Sequence, residues 1–224
     1  MINRKAGFRA TGLVTVSLLV WAGVGPVYGQ ADNRRQPDAG RENRSEVPAK
    51  NRSTSVLMQP LSSMLAKSKA VNRTGDPDHD YAILIRIRDQ AEAELLQQGM
   101  KTSKNPALVN TIQQLVAQKQ QDGNDLRKIT PRLRSSTPNP AFAQQIDQKL
   151  LAMELDLKNG MNGRLTDDPE KDFLTILTQH QQDSIDLTES YLSFAKDQAL
   201  KAYAGQLLAN RRKALETMKA MMKS

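Results

Sequence analysis

The chain contains no cysteine, few aromatic residues and only two histidines among its 224 residues. Without cysteine it can form no disulfide bond, no thiolate metal site and no lipid attachment at a cysteine, so an exported fold must be held together by packing. The aromatic residues are not interleaved with runs of lysine and arginine, although the formal net charge is +8. Stacking on nucleic acid needs that combination, and we therefore expect no nucleic-acid partner.

The sequence also lacks the motifs of common catalytic sites. It has no Glu-x-x-His, no G-x-S-x-G, no P-loop and no G-x-G-x-x-G. Two histidines leave little for a histidine-based triad or a metal hydrolase site. We expect that the protein is not an enzyme.

Residues 1–31 have the pattern of a secretory signal peptide. Arg4, Lys5 and Arg9 precede an apolar run at residues 12–24, which small residues follow. The run is short for a bilayer span, which favours cleavage; an uncleaved signal anchor is the alternative. We expect an exported protein, periplasmic or secreted, with no integral membrane span after cleavage.

The segment at residues 32–75 is predicted to be a disordered linker. Its first part has many charges of both signs and almost no large apolar residue, so it cannot bury enough surface to offset the entropy of ordering. Residues 55–71 carry apolar side chains at helical spacing, interrupted by Pro60, and predict a short helix docked on the rest of the protein.

A 51-residue stretch occurs twice. Residues 76–126 align without a gap with residues 168–218, at an offset of 168 − 76 = 92 and with 11 identities. Each copy begins with Asp-Pro, a helix-start signal, and continues with apolar residues every three or four positions. We predict two helical hairpins, at residues 76–128 and 167–224, joined by a loop and a connecting helix at residues 129–166. No stretch alternates with period two, so the predicted fold class is all-α.

The start of each copy, D-P-x-x-D-[YF], and the opening K-[ND]-x-A-L of its second helix resemble the exported bacterial family of domain of unknown function 305. Tandem members of that family include CopM-like copper-tolerance proteins. The resemblance covers residues 76–218 and implies a ferritin-like four-helix bundle made of the two duplicated hairpins, plus the connecting helix. It also implies that histidines and methionines on the first helix of each module bind copper or silver.

The family signature on that helix is D-F-x-x-x-M-x-x-H-H-Q-x-A-I-x-M. His180 occupies its first histidine position in the second copy, and Gln181 the second position. In the first copy Arg88 and Asp89 occupy the two histidine positions, while leucine or isoleucine replaces every methionine. One ligand of eight remains, which favours a degenerate metal site.

His180, Met218, Met221 and Met222 are the candidate metal ligands that remain. The three methionines are spaced i, i+3 and i+4, and thioethers suit Cu(I) or Ag(I), the cofactors that the resemblance implies. The alternative is that the methionines fill the core and that His180 is a buried histidine hydrogen-bonded to a neighbour.

A second hypothesis concerns a polar network in the core. If the two repeats pack about a pseudo-twofold axis, Arg88 and His180 approach each other there, together with Glu92. An arginine–carboxylate network would then replace the ancestral ligands, because a desolvated guanidinium needs a carboxylate partner. The predicted members are Arg88, Asp89, Gln90, Gln182 and Asp183.

The basic residues of the last helix are predicted to form a solvated face, with association at an anionic surface as the weaker alternative. They are Arg211, Arg212, Lys213, Lys219 and Lys223.

Two function hypotheses follow. The chain is a structural or partner-binding bundle, whose partner is an envelope protein or a second copy of itself, or it retains Cu(I) or Ag(I) binding in metal tolerance. The ligand count favours the first and the family resemblance favours the second.

Overall fold

The computed structural model describes residues 49–161, 163–166 and 168–223. The predicted signal peptide and the first part of the predicted linker lie outside the described residues. Within them the chain is helical and contains no strand, which confirms the all-α prediction. Six helices follow one another: α1 (Ala49–Ala70), α2 (Pro77–Thr102), α3 (Pro106–Ile129), α4 (Pro140–Leu155), α5 (Pro169–Leu192) and α6 (Gln198–Met221).

The helices from α2 to α6 all begin behind an Asp or Asn whose side chain accepts a hydrogen bond from a backbone N–H of the first turn. Such a cap satisfies donors that the helix itself cannot satisfy, and the proline that follows in four of the five has no N–H to lose. The caps are Asp76, Asn105, Asn139, Asp168 and Asp197.

Two helical hairpins, α2–α3 and α5–α6, pack against each other. Helix α2 contacts both α3 and α5, and α6 contacts both α5 and α3, so these four helices surround a shared core. Helices α1 and α4 contact each other and cover α5, and α1 also covers α2. The described part of the chain has no helix long and apolar enough to cross a membrane.

Helix α1 is longer than the short helix predicted from the sequence. It has 22 residues and continues through Pro60. One face carries Leu57, Leu61, Met64 and Leu65, all buried. This packing holds the helix together although proline removes a backbone hydrogen bond, and it makes the second half of the predicted linker an ordered element.

The two hairpins clamp each other's turns in the same way. Asp78, near the start of α2, accepts hydrogen bonds from the backbone N–H groups of residues 196–197, at 3.2 and 3.0 Å. Glu170, near the start of α5, accepts them from residues 104–105, at 2.7 and 3.1 Å. The two acceptors, Asp78 and Glu170, are 170 − 78 = 92 residues apart, and the two pairs of donors are separated by the same 92 residues, which is the offset of the sequence repeat.

Aromatic packing across α2 and α5 also recurs at this offset. Tyr81 of α2 stacks on Tyr191 of α5, with ring centroids 3.9 Å apart. At the other end Phe173 of α5 lies against Gly99 of α2, so closely that a Cβ on Gly99 would be 2.4 Å from the ring. The contacts join the start of each helix to the end of the other, so α2 and α5 run antiparallel.

Candidate functional site

An ionic network lies between the ends of the hairpins, in the middle of the bundle, and Glu92 is its central residue. Glu92 of α2 is 0% exposed. Its carboxylate lies 3.1 Å from Lys119 Nζ of α3 and 3.2 Å from Arg211 Nη1 of α6. It also accepts a hydrogen bond of 2.6 Å from Gln181 Nε2 of α5. All four helices of the two hairpins therefore contribute to this one carboxylate.

Asp89, one turn before Glu92, is the second carboxylate of the network. It accepts hydrogen bonds from Arg211 Nη2 at 2.6 Å and from Lys119 Nζ at 3.0 Å. Asp122 is the third, with Oδ2 3.8 Å from Lys119 Nζ. Charges taken out of water cost several kcal/mol each, so such groups remain ionised only where their partners are well placed.

The pKa directions show that the pairing outweighs burial in this part of the network. Burial alone would raise the pKa of Glu92, but Lys119 and Arg211 hold that pKa well below its usual range. Burial likewise would lower the pKa of Arg211, but Glu92 and Asp89 raise it. The core of the network is ionised at neutral pH.

Arg88 is buried as well, but its partners are weaker. It donates from Nε to Ser184 Oγ at 3.0 Å, from Nη1 to Met153 Sδ at 3.0 Å and from Nη2 to the His180 carbonyl at 3.4 Å. The nearest carboxylate oxygen, Asp183 Oδ2, is 4.0 Å away. Burial accordingly lowers the pKa of Arg88 to about 10, although Asp183 acts in the opposite direction.

A cavity of about 180 Å³ lies beside Arg88, between α1, α2, α4 and α5. Asp183, Asp186 and Met153 line it together with apolar side chains. A water molecule occupies roughly 30 Å³ in the liquid, so the cavity has room for several waters that could bond the remaining N–H groups of Arg88.

His180 is buried on α5 and has no close hydrogen-bond partner. Its Nε2 lies 3.7 Å from Glu92 Oε2, longer than a hydrogen bond, and neither ring nitrogen has a hydrogen-bond partner among the described residues. Burial lowers the pKa of His180 to about 4, with Arg88 and Arg211 adding to the effect and Glu92 opposing it. The ring is neutral at neutral pH, and the hydrogen-bonded neighbour considered from the sequence is absent from the described structure.

The three methionines do not join His180. Met218 is fully buried in the hydrophobic core, Met221 is half-buried, and Met222 is 42% exposed at the end of α6. Met218 follows Arg211 by seven residues, which places it about 10 Å further along the helix axis. The described residues include no group of three His, Cys, Asp or Glu side chains arranged to hold a metal ion.

Two predicted members of the polar network lie outside it. Gln90 is exposed and donates to Glu94, and Gln182 is half-buried and donates to Asp186. Residues two apart on a helix point about 200° from each other, so Gln90 cannot share the face of Arg88 and Glu92. Gln181 takes the place in the network that was predicted for Gln182.

Lys119 and Arg211 are the members that the sequence reasoning missed. Arg211 was predicted to lie on a solvated basic face, but it is buried. It lies four residues after Leu207 and four before Leu215, both buried, so it interrupts an apolar stripe. Lys119 stands at the equivalent position of the first repeat. A cation kept on the apolar stripe of both repeats is the signal that could have identified the pair.

Comparison with known proteins found no match among family models, curated proteins or solved structures.

Proposed function

We propose that this chain is an exported, non-enzymatic helical-bundle protein that acts as a structural or partner-binding module. In this proposal its bundle is ferritin-like and related to the domain-of-unknown-function-305 proteins, and the ionic network stands where those relatives bind metal. The observation that carries the proposal is Glu92, a carboxylate buried completely between two cations.

The charges at the centre favour a network over a metal site. Arg88 occupies the first histidine position of the first repeat, and Lys119 and Arg211 already neutralise Asp89 and Glu92, the two carboxylates at the centre of the network. A soft cation such as Cu(I) would have to enter among three positive charges. Coulomb repulsion is strong where water is excluded, and we expect it to prevent binding.

A competition titration with Cu(I) and with Ag(I) tests the proposal. We expect no stoichiometric binding by the full-length chain, and no difference between it and the His180→Ala and Met218/Met221/Met222→Leu variants. One equivalent of metal bound tightly, and lost in either variant, would contradict the proposal.

Metal tolerance through Cu(I) or Ag(I) binding is the second candidate, and the ring of His180 supports it. The imidazole is neutral, and both its nitrogens lack a hydrogen-bond partner within the described residues. A neutral imidazole nitrogen is the form that ligates metal. The same titration separates the two candidates, because only the second predicts that binding disappears in His180→Ala.

Helix α4 supports the partner-binding part of the proposal. Leu151 and Leu155, one turn apart, are 55% and 51% exposed. Neighbouring exposed leucines are common at protein interfaces. Sedimentation velocity over a concentration series tests self-association: a dimer that Leu151→Ser/Leu155→Ser abolishes indicates a second copy as the partner, and a monomer at every concentration directs the search to an envelope protein.

A further inference from the structure

A groove of about 460 Å³ runs between α3 and α6, on the outer side of the ionic network. Its volume is within the range of small-molecule sites, roughly 300–1,000 Å³. Polar side chains of both helices line it, and three apolar residues, Ile129, Ala199 and Leu207, lie among them. The groove therefore offers both hydrogen-bonding groups and a surface for methylene groups.

Two buried polar atoms in the lining make no hydrogen bond to the described residues, although Asp122 Oδ2 lies 3.8 Å from Lys119 Nζ. The Tyr203 side chain is 9% exposed, and its hydroxyl has no hydrogen-bond partner in the described structure. Asp122 is 6% exposed; Oδ1 accepts a hydrogen bond from Gln118, but Oδ2 accepts none from any described residue. Buried polar groups are nearly always paired, so two unpaired atoms in one groove point to a missing ligand.

The charge of the network indicates the sign of that ligand. Asp89, Glu92 and Asp122 are three carboxylates, whereas Lys119 and Arg211 are two cations, which leaves 3 − 2 = 1 formal negative charge. Burial raises the pKa of Asp122, because Gln118 and Lys119 compensate its charge only in part. Arg88 and Asp183, on the other side, balance each other. Of the three carboxylates only Asp122 lines the groove. A ligand bound there would complete the network if it were a cation.

The groove also contains several hydrogen-bond acceptors besides Asp122. The side-chain amides of Gln118, Gln121 and Gln206 each donate to a side chain one turn further along their own helix. The carbonyl oxygen of each amide remains available as an acceptor, beside its second N–H group, in addition to the carboxylates of Asp122 and Asp125. Such a lining fits a ligand rich in N–H donors.

We propose that the groove binds a small aliphatic amine, with one primary ammonium group donating to Asp122 Oδ2 and to the Tyr203 hydroxyl. The methylene chain then lies on Ile129, Ala199 and Leu207. In a diamine the second ammonium group reaches Asp125, one turn along α3, in place of Lys128, whose Nζ lies 2.8 Å from it. This site goes beyond the proposed function and does not depend on it.

Isothermal titration calorimetry of the full-length chain with putrescine and with spermidine tests the proposal. We expect saturable binding of both amines, no binding of glycerol, and no displacement by an equal concentration of Mg²⁺. The chain carries a formal charge of +8, so nonspecific attraction of a polycation is unfavourable and binding reports a local site. Absence of saturable binding at millimolar amine, or equal displacement by Mg²⁺, overturns the proposal.

Three variants locate the site. Asp122→Asn weakens amine binding at least about tenfold because it removes a charge-assisted hydrogen bond. Glu216→Gln makes the same change on the exposed face of α6 and changes the affinity less than about twofold. Tyr203→Phe weakens binding roughly threefold to tenfold. Equal affinity in the first two variants, or unchanged affinity in the third, overturns the proposal.

Nuclear magnetic resonance gives a test that does not rely on Asp122→Asn folding. Spermidine added to the wild-type chain should shift backbone amide signals mainly in the second half of α3 and the first half of α6. Shifts concentrated in another part of the bundle contradict the assignment of the groove.

Discussion

The two hairpins make equivalent hydrogen bonds to each other's turns at the ends of the bundle and different contacts at its centre. At the ends Asp78 and Glu170 clamp equivalent turns. At the centre the first hairpin supplies Asp89 and Glu92, whereas the equivalent positions of the second hold the uncharged Gln181 and Ser184. The ends keep the duplicated architecture in place, so the centre could change its charges without changing the fold.

Among the variants that test this difference, Glu92→Gln should have the largest effect on stability. It leaves Lys119 and Arg211 buried with one carboxylate fewer, and we expect the free energy of unfolding to fall by about 3–5 kcal/mol. The equivalent change in the second hairpin, Ser184→Ala, removes an acceptor of Arg88 and a donor to the His180 carbonyl, and should cost about 1–3 kcal/mol. Urea denaturation followed by circular dichroism measures both.

The exposed carboxylate Glu216 supplies the control for Glu92→Gln. Glu216→Gln should change stability by less than about 1 kcal/mol. If Glu92→Gln were no more destabilising than Ser184→Ala, the two halves of the centre would be energetically alike and the asymmetry described above would have no consequence.

His180 and Arg88 occupy equivalent positions, and pH distinguishes them. The pKa of His180 is lowered to about 4 from an ordinary 6.5, so between these values the unfolded chain binds a proton that the folded chain does not. The contribution of the neutral His180 to the free energy of unfolding is fully present above pH 6.5 and is lost as the pH falls towards 4. This lowers the free energy of unfolding by an amount on the order of 3 kcal/mol.

Stability measured from pH 7 to pH 4.5 checks this prediction. The free energy of unfolding should fall less steeply with pH in His180→Asn than in the wild type. Parallel curves for the wild type and His180→Asn would show that His180 does not drive the acid dependence.

Gly99 and Tyr191 occupy equivalent positions, and the ends of the bundle differ there. The variant Gly99→Ala tests how closely α2 packs against the Phe173 ring of α5 at the Gly99 end. The new Cβ would lie 2.4 Å from the Phe173 ring, and we expect a loss of about 1–3 kcal/mol from overpacking. The control is Gly123→Ala in α3, where the new Cβ would have no atom within 4 Å apart from its chain neighbours and the backbone of its own helix. It should stabilise the chain by up to about 1 kcal/mol, through helix propensity. Thermal unfolding of both variants measures the two changes in stability. If Gly99→Ala did not change the stability, Gly99 and the Phe173 ring would not be closely packed.

The contrast between ends and centre also explains what could be predicted from the sequence. The all-α fold and the starts of α2 and α5 follow from local signals, namely Asp-Pro caps and apolar spacing. The long α1 could not be predicted in this way because Pro60 argues against a continuous helix and only packing overrides it. The burial of Arg211 depends on partners 119 and 122 residues away, Glu92 and Asp89, so a basic cluster read locally indicated a solvated face.

The same distinction between local signals and distant contacts decides which residues of the candidate site could be predicted from the sequence. Arg88 could be placed by its equivalence to His180, and the buried stripe of α5 could be read from its spacing. Gln90 and Gln182 could not be excluded in that way, because alignment with a signature identifies equivalent positions but does not show which face of the helix each occupies. A helical-wheel comparison of Glu92 with Gln90 would have separated them.

Glu170→Gln should have the smallest effect and tests whether the two clamps are equal. Hydrogen bonds from the Ser103 hydroxyl and from the backbone N–H of Lys104 hold the pKa of Glu170 below its ordinary value. Its stabilising contribution is therefore present at neutral pH and is lost as the pH falls below the ordinary glutamate range. At pH 7 we expect Glu170→Gln to lower the free energy of unfolding by about 1 kcal/mol or less, because the carboxylate is partly exposed, and we expect the difference from wild type to shrink in acid.

Asp78 is buried and also accepts a hydrogen bond of 2.7 Å from the Tyr191 hydroxyl, so Asp78→Asn should cost more in the same urea titrations. If the two variants lost equal stability, the additional burial and the tyrosine at the first clamp would contribute nothing, and the ends of the bundle would be equivalent in energy as well as in geometry.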